Sequence, residues 1–136
     1  MTYKVQIVHV DYVTQFWDKV SPFIARALQY TDEYNLDQVK VFLTNGSWLL
    51  LIAVDESQAI HGVATVAFHN GTNARTAIIT ALGGKNVVNQ DIFNQVCNIS
   101  KNLGATKVQV YTRDSAMRLY ERVGLKKKAT LMEIKI

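Results

Sequence analysis

The chain has 136 residues, 49% of them hydrophobic and 19% charged, with seven Gly and one Pro, which excludes a disordered or low-complexity chain and predicts one compact domain over residues 1–136. A lone Cys97 excludes an intramolecular disulfide and, with no leader-like opening run, predicts a cytoplasmic setting; the longest apolar stretch, Trp48 to Val54, is too short to cross a bilayer. Through Thr112 eight basic residues balance eight acidic ones, and from Arg113 onward seven basic face three acidic, so the whole net charge of +4 lies in the terminal segment. That excess either attracts a polyanion or settles the negative end of a helix, and without aromatic interleaving or a wider basic patch it disfavours a nucleic-acid module.

Tyr3 to Val10 reads as a first strand, with Val5, Ile7 and His9 alternating against Gln6. Val13, Phe16, Trp17 and Val20 then fall at helical spacing, and Ser21-Pro22 resembles an N-cap with Pro at the first helical position, predicting a bent helix or two short ones. Asn35-Leu-Asp-Gln38 has the form of a capping box, opening a second helix whose apolar face is Leu36, Val39, Phe42 and Leu43. Three strand-like runs come next, Trp48 to Asp55, Ile60 to His69 and Arg75 to Leu82, separated by short polar turns that predict an antiparallel meander.

Ile92, Phe93, Val96, Ile99 and Leu103 mark a helix closed by Gly104, ahead of a strand at Lys107 to Thr112. Arg113 opens a last helix with Ala116, Leu119, Tyr120 and Val123 on one face, Gly124 stops it, and Thr130 to Ile136 reads as a final strand. The predicted order is β-α-α-β-β-β-α-β-α-β, an α+β fold whose mixed central sheet combines antiparallel hairpins with one parallel crossover. As an edge strand, Thr130 to Ile136 could pair between two copies in a homodimer, although the pattern specifies no particular dimer.

Within Arg113 to Leu125, the Ala-x-x-Leu-Tyr-x-x-x-Gly-Leu core resembles the closing motif of GCN5-related N-acetyltransferases, and the element order resembles that family over nearly the whole chain. The resemblance implies acetyl-CoA as cofactor, a pantetheine cleft between the strands at Arg75 to Leu82 and Lys107 to Thr112, and Tyr120 as the acid that protonates the departing thiolate. The alternative for Tyr120 is a core aromatic whose hydroxyl is satisfied locally. The family's phosphate loop, Gln/Arg-x-x-Gly-x-Gly/Ala, falls at Ala81 to Asp91, where the pattern is incomplete. By that resemblance Leu82, Gly83, Gly84 and Lys85 lie at the pyrophosphate, in a glycine turn exposing its amides, and Arg113 is a further coenzyme contact.

Trp17-x-x-Val20-x-Pro22, Asn35-Leu-Asp-x-Val39 before Gly46, Leu82-Gly-Gly and Arg113 resemble small acetyltransferase-fold proteins of tailed bacteriophages, in which that loop is commonly degenerate. The chain departs from this subgroup by carrying Thr112-Arg-Asp-Ser-Ala116 in place of Gly-Arg-x-Gly-Trp. The resemblance implies one of two functions. One is an acetyl-CoA-dependent N-acetyltransferase acting on a small-molecule or protein amine. The other is a non-catalytic phage protein, in host cytoplasm or virion, that binds a host or virion protein through exposed aromatics such as Trp48, Tyr111 or Tyr34.

No residue identifies itself as a general base: His61, His69, Asp55 and Glu56 show no telling spacing. His9, His61 and His69 lack metal-ligand spacing, so no metal is expected, and Cys97 beside Val96 and Ile99 reads as a buried, inert thiol.

Overall fold

The computed structural model describes residues 2–136. Strand β1 (Lys4–Val8) leads through a single 3-10 turn into helix α1 (Val13–Leu28), followed by α2 (Leu36–Thr44), β2 (Trp48–Val54), β3 (Ile60–Asn70), β4 (Arg75–Gly84), α3 (Gln90–Asn102), β5 (Lys107–Val110) and α4 (Asp114–Arg122). The five strands lie in the order β1-β2-β3-β4-β5. The first three pairings are antiparallel, and α3 carries the chain over to a parallel β4–β5 pairing. The α+β class and the mixed sheet are those expected.

Helices cover both faces of the sheet, which is why β2 reads as an unbroken apolar run rather than an alternating one. Leu50, Ile52 and Val54 of β2 pack with Val13, Val20, Ile24 and Leu28 of α1 and with Val39 and Leu43 of α2. Leu51 and Ala53 point the other way, joining Ala64, Val66, Ala77 and Ile79 beneath Ile92, Phe93 and Val96 of α3. The α2 capping box is present in both directions: the Gln38 amide donates to Asn35 Oδ1 at 2.9 Å, and the Asn35 amide donates to Gln38 Oε1 at 3.0 Å.

Four expectations change. Ser21-Pro22 starts no new helix; Pro22 lies inside a continuous α1 on its exposed side, where the helix tolerates the missing N–H because the apolar faces before and after it pack on one core. Trp48 is half-buried rather than an exposed contact, because Phe42 stacks on it at 4.7 Å and Tyr34 meets it edge-on at 4.8 Å. The strand predicted to Thr112 stops at Val110.

The largest change is at Thr130 to Ile136, which forms no strand. Gly124, at φ +100°, ends α4 and turns the chain out, and no sheet edge receives the residues beyond it. Leu131, Met132, Ile134 and Ile136 stand 74 to 119% exposed, and a 3.4 Å ion pair from Lys135 to Asp32 is the one salt bridge of the tail among the described residues. The observed order therefore closes on α4, one element short of that predicted.

Candidate functional site

The sheet opens at one point. β4 and β5 pair from Thr76↔Lys107 to Ile79↔Val110; β5 then ends, and β4 runs on to Gly84 held only by β3. At the last paired residue the register against β3 slips, Val66 facing Ile79 and Thr65 facing Ala81, so that Thr80 is an extra, bulged residue. Its hydroxyl is pinned to the buried Thr65, 2.7 Å from Oγ1 and 3.1 Å from the carbonyl oxygen. The bulge also reverses the alternation of β4: Ile79 packs in the layer of α3, Ala81 in that of α1, and Leu82 returns to the α3 side. The result is a cleft in the sheet between the bare edge of Thr80 to Gly84 and the end of β5.

Gly83 and Gly84 do not form the amide-exposing turn expected of them. They are the last residues of β4, opposite Val63 and Gly62. A Cβ on Gly83 would run into the Phe23 carbonyl of α1, and one on Gly84 would stand 2.5 Å from the His61 carbonyl oxygen. Glycine is needed here for close packing between elements, not for the approach of a ligand.

The turn comes immediately afterwards. Asn86 takes φ +58°, Val87 is buried beneath Gly62, and Asn89 caps α3 by accepting the Ile92 amide at 2.9 Å while its own Nδ2 donates to the Asn86 carbonyl. The amides of Asn86, Val87, Val88 and Asn89 have no hydrogen-bond acceptor among the described residues. Consecutive unpaired amides ahead of a helix N-terminus, with the exposed Lys85 beside them, suit an anionic group. Asp91, which could repel such a group, is drawn along the helix by Gln95 Nε2 at 3.3 Å.

Tyr120, on α4, packs against the core that holds Leu82, Val88 and Val110 and meets Phe93 edge-on at 5.9 Å. Its hydroxyl has no hydrogen-bond partner among the described residues and is not among the sealed polar atoms, so it opens on solvent. Local satisfaction of that hydroxyl, the alternative to an acid role, is not found. Burial pushes the phenol above its ordinary value, partly opposed by the positive charge of Arg113. Arg113 precedes α4 without a side-chain cap and lays its guanidinium over the Tyr30 ring, 3.6 Å from the centroid. Among the residues singled out in the sequence, Leu82, Gly83, Gly84 and Lys85 thus adjoin one another, Tyr120 shares a core with Leu82, and Arg113 is engaged with the α1–α2 connection.

Three features escape the sequence. The hairpin after β2 brings His61 Nε2 to 2.7 Å from Asp55 Oδ2, and this bond, with that from the Ser57 hydroxyl, holds the Asp55 carboxyl far below the usual range. Tyr3 lies over the imidazole at 4.7 Å, and together with Phe23, Arg26, Lys85 and Asn86 they line a hollow of about 350 Å³. His61 lies at the Gly84 end of the sheet, roughly 13 Å along β4 from the Thr80 bulge at ~3.3 Å per residue. The third is the Thr65–Thr80 bulge itself, whose only trace is that Ile78, Ile79, Ala81 and Leu82 do not keep one alternation. Cys97 is exposed rather than buried, although desolvation still raises its thiol. No group of three metal-ligating side chains occurs among the described residues.

No protein-family model matches the chain, and no curated protein matches it in sequence. Solved structures do match in fold. The ribosomal-protein-alanine N-acetyltransferase of Brucella melitensis biovar Abortus 2308 superposes with TM-score 0.71 at 11% identity, over 99% of each chain. An aminoglycoside acetyltransferase from an uncultured soil metagenomic sample does so with TM-score 0.71 at 14% identity, over 100% of this chain and 99% of that one. The predicted acetyltransferase of Clostridium acetobutylicum solved with acetyl-CoA gives 0.68 at 14%, over 98% of this chain and 96% of its own. End-to-end superposition on these three proteins shows that the chain has the fold of these acetyltransferases.

Proposed function

We propose that the protein is an acetyl-CoA-dependent N-acetyltransferase acting on an amine. The observation that carries the reading is the pairing of a bare β4 edge, opened by the Thr80 bulge, with a Tyr120 hydroxyl that keeps its proton and has no partner in the protein. The residues present fit the coenzyme. Lys85 and the amides of Asn86 to Asn89 would oppose its phosphates, and the unpaired edge of Thr80 to Gly84 offers backbone groups to an extended arm that itself carries amides. When bound, acetyl-CoA supplies an acetyl group already activated as a thioester.

The chain's own contributions are positional and protonic. The bulge keeps the cleft open because an unbulged β4 would continue its pairing with β5. Oη of Tyr120, a phenol that burial pushes further above its ordinary value, is protonated at neutral pH and can give its proton to a leaving thiolate and later recover one from solvent. No side chain near the bulge stands out as a base, so the amine would have to arrive neutral or lose its proton to water.

A second reading, a phage-derived fold that binds a host or virion protein without chemistry, draws support from Gly83 and Gly84 being consumed by internal packing rather than by a phosphate cradle. Calorimetric titration with acetyl-CoA separates the two. Saturable binding, weakened about tenfold or more by Lys85→Glu through loss of a charge-assisted phosphate contact, supports the enzyme. Absence of binding by the folded wild-type chain sinks it.

A further inference from the structure

No step of acetyl transfer runs through the hollow at the end of the sheet. It lies where β1 and β3 begin and β4 ends, against Phe23 and Arg26 of α1, and its volume of about 350 Å³ accommodates a small organic molecule. Its charges are of one sign. Arg26 and Lys85 line it, both exposed, and neither enters an ion pair among the described residues. No carboxylate lines it. Asp55 reaches it only through His61, and its oxygens are already taken: Oδ1 accepts from the Ser57 amide, the Ser57 hydroxyl and the Ala59 amide, and Oδ2 faces His61. His61 itself is the extra residue of a bulge in β3, where Gly62 faces Ala53 and Ile60 faces Val54, and a bulge re-aims the side chain it carries. Because Nε2 donates to the Asp55 carboxylate, Nδ1 is left without a protein partner. The half-buried rings of Tyr3 and Phe23 add an apolar wall.

We propose that this hollow is a second binding site, for a phosphate monoester of mononucleotide size. Two cations from separate elements, with no acid between them, match the double charge of a phosphate monoester better than the single charge of a carboxylate. Nδ1 of His61 gives the phosphate or its sugar a fixed hydrogen-bonding nitrogen, held in place from behind by Asp55. Tyr3 and Phe23 flank the ring of the ligand, as aromatic side chains do where one end of a molecule is flat and apolar and the other is wet. The site is distinct from the coenzyme cleft. It opens on the β3 side of β4, whereas the cleft lies on the β5 side, and Lys85 is the side chain that borders both.

The probe is adenosine 5′-monophosphate, titrated into the full chain at low salt and followed by amide resonances, with adenosine as the ligand that lacks the phosphate. Saturable binding is expected, with shifts at Tyr3, Arg26 and His61, and adenosine should bind at least about tenfold more weakly. Arg26→Glu should weaken the monophosphate by about tenfold or more, since an attractive contact becomes a repulsive one. Its side chain is exposed and outside every ion pair, so circular dichroism should show the fold intact, and titration with acetyl-CoA should be unchanged. Absence of saturable binding overturns the proposal, and so does adenosine binding as tightly as its monophosphate. Binding that ignores Arg26→Glu and shifts only the residues ahead of α3 also overturns it, because the nucleotide then sits on the coenzyme side of β4. The two sites fail separately: a chain that binds no acetyl-CoA can still take the monophosphate, and a chain that refuses the monophosphate can still take acetyl-CoA.

Discussion

At Gly84 two constraints coincide, a φ of +130° and a carbonyl oxygen 2.5 Å from where a Cβ would stand, whereas Gly124 has φ +100° but open space around it. Gly84→Ala should therefore cost about 2–4 kcal/mol, strain and overpacking together, and Gly124→Ala only about 1 kcal/mol; the difference is read from urea midpoints of the two variants. Tyr120→Phe removes a hydroxyl without a protein partner, so stability should move by less than about 0.5 kcal/mol while acetyl transfer falls roughly a hundredfold or more. Equal losses in both would return Tyr120 to a packing role. Because the folded phenol titrates above its unfolded value of 10.0, it contributes stability below that value, and the contribution is lost as pH rises through the folded one. The Phe variant should show a flatter alkaline limb in thermal melts.

Asp55 behaves in the opposite sense. Its folded carboxyl titrates far below 3.8, so its contribution is complete above that value and is lost as pH falls beneath it. Asp55→Asn should flatten the acid limb of the same melts and leave the alkaline limb untouched. The spacing of Asp55 and His61 carried no hint of their contact, because it is made by a hairpin turn and only the register of the two strands sets it.

Among the elements, the helices were legible from caps and periods: Asn35 with Gln38 for α2, and Ile92, Phe93, Val96 and Ile99 for α3. Pro22 misled because its local preference for a first turn was outweighed by packing on both sides of it. Pro22→Ala restores an N–H on an exposed face and should stabilise α1 by about 1 kcal/mol, visible as a higher melting temperature. The edge of β1 is closed by a side chain rather than by another strand. Gln95 of α3 accepts the Val5 amide at 2.8 Å and donates to the Tyr3 carbonyl at 2.9 Å, a link across ninety residues that no local pattern could announce. The cleft was legible as a place, from the two parallel strands and the motif after them, but its cause was not, since a bulge leaves almost no mark in composition.

Across the whole molecule, α1 and α2 seal one face of the meander and α3 the other, while α4 has no buried residue of its own and is held mainly by Tyr120, Val123 and Leu125 at its end. The bulged strand is thus part of the core, whereas the helix that carries Tyr120 is appended to it. The sheet adds one property that its static contacts conceal. Strand order repeats chain order from β1 to β5, so a strand leaving the ribosome finds its neighbour already made, and the meander can assemble progressively during synthesis. Tyr120 joins only after that scaffold stands, and a nascent chain stalled before Arg113 would hold the bulged strand without the helix that follows it.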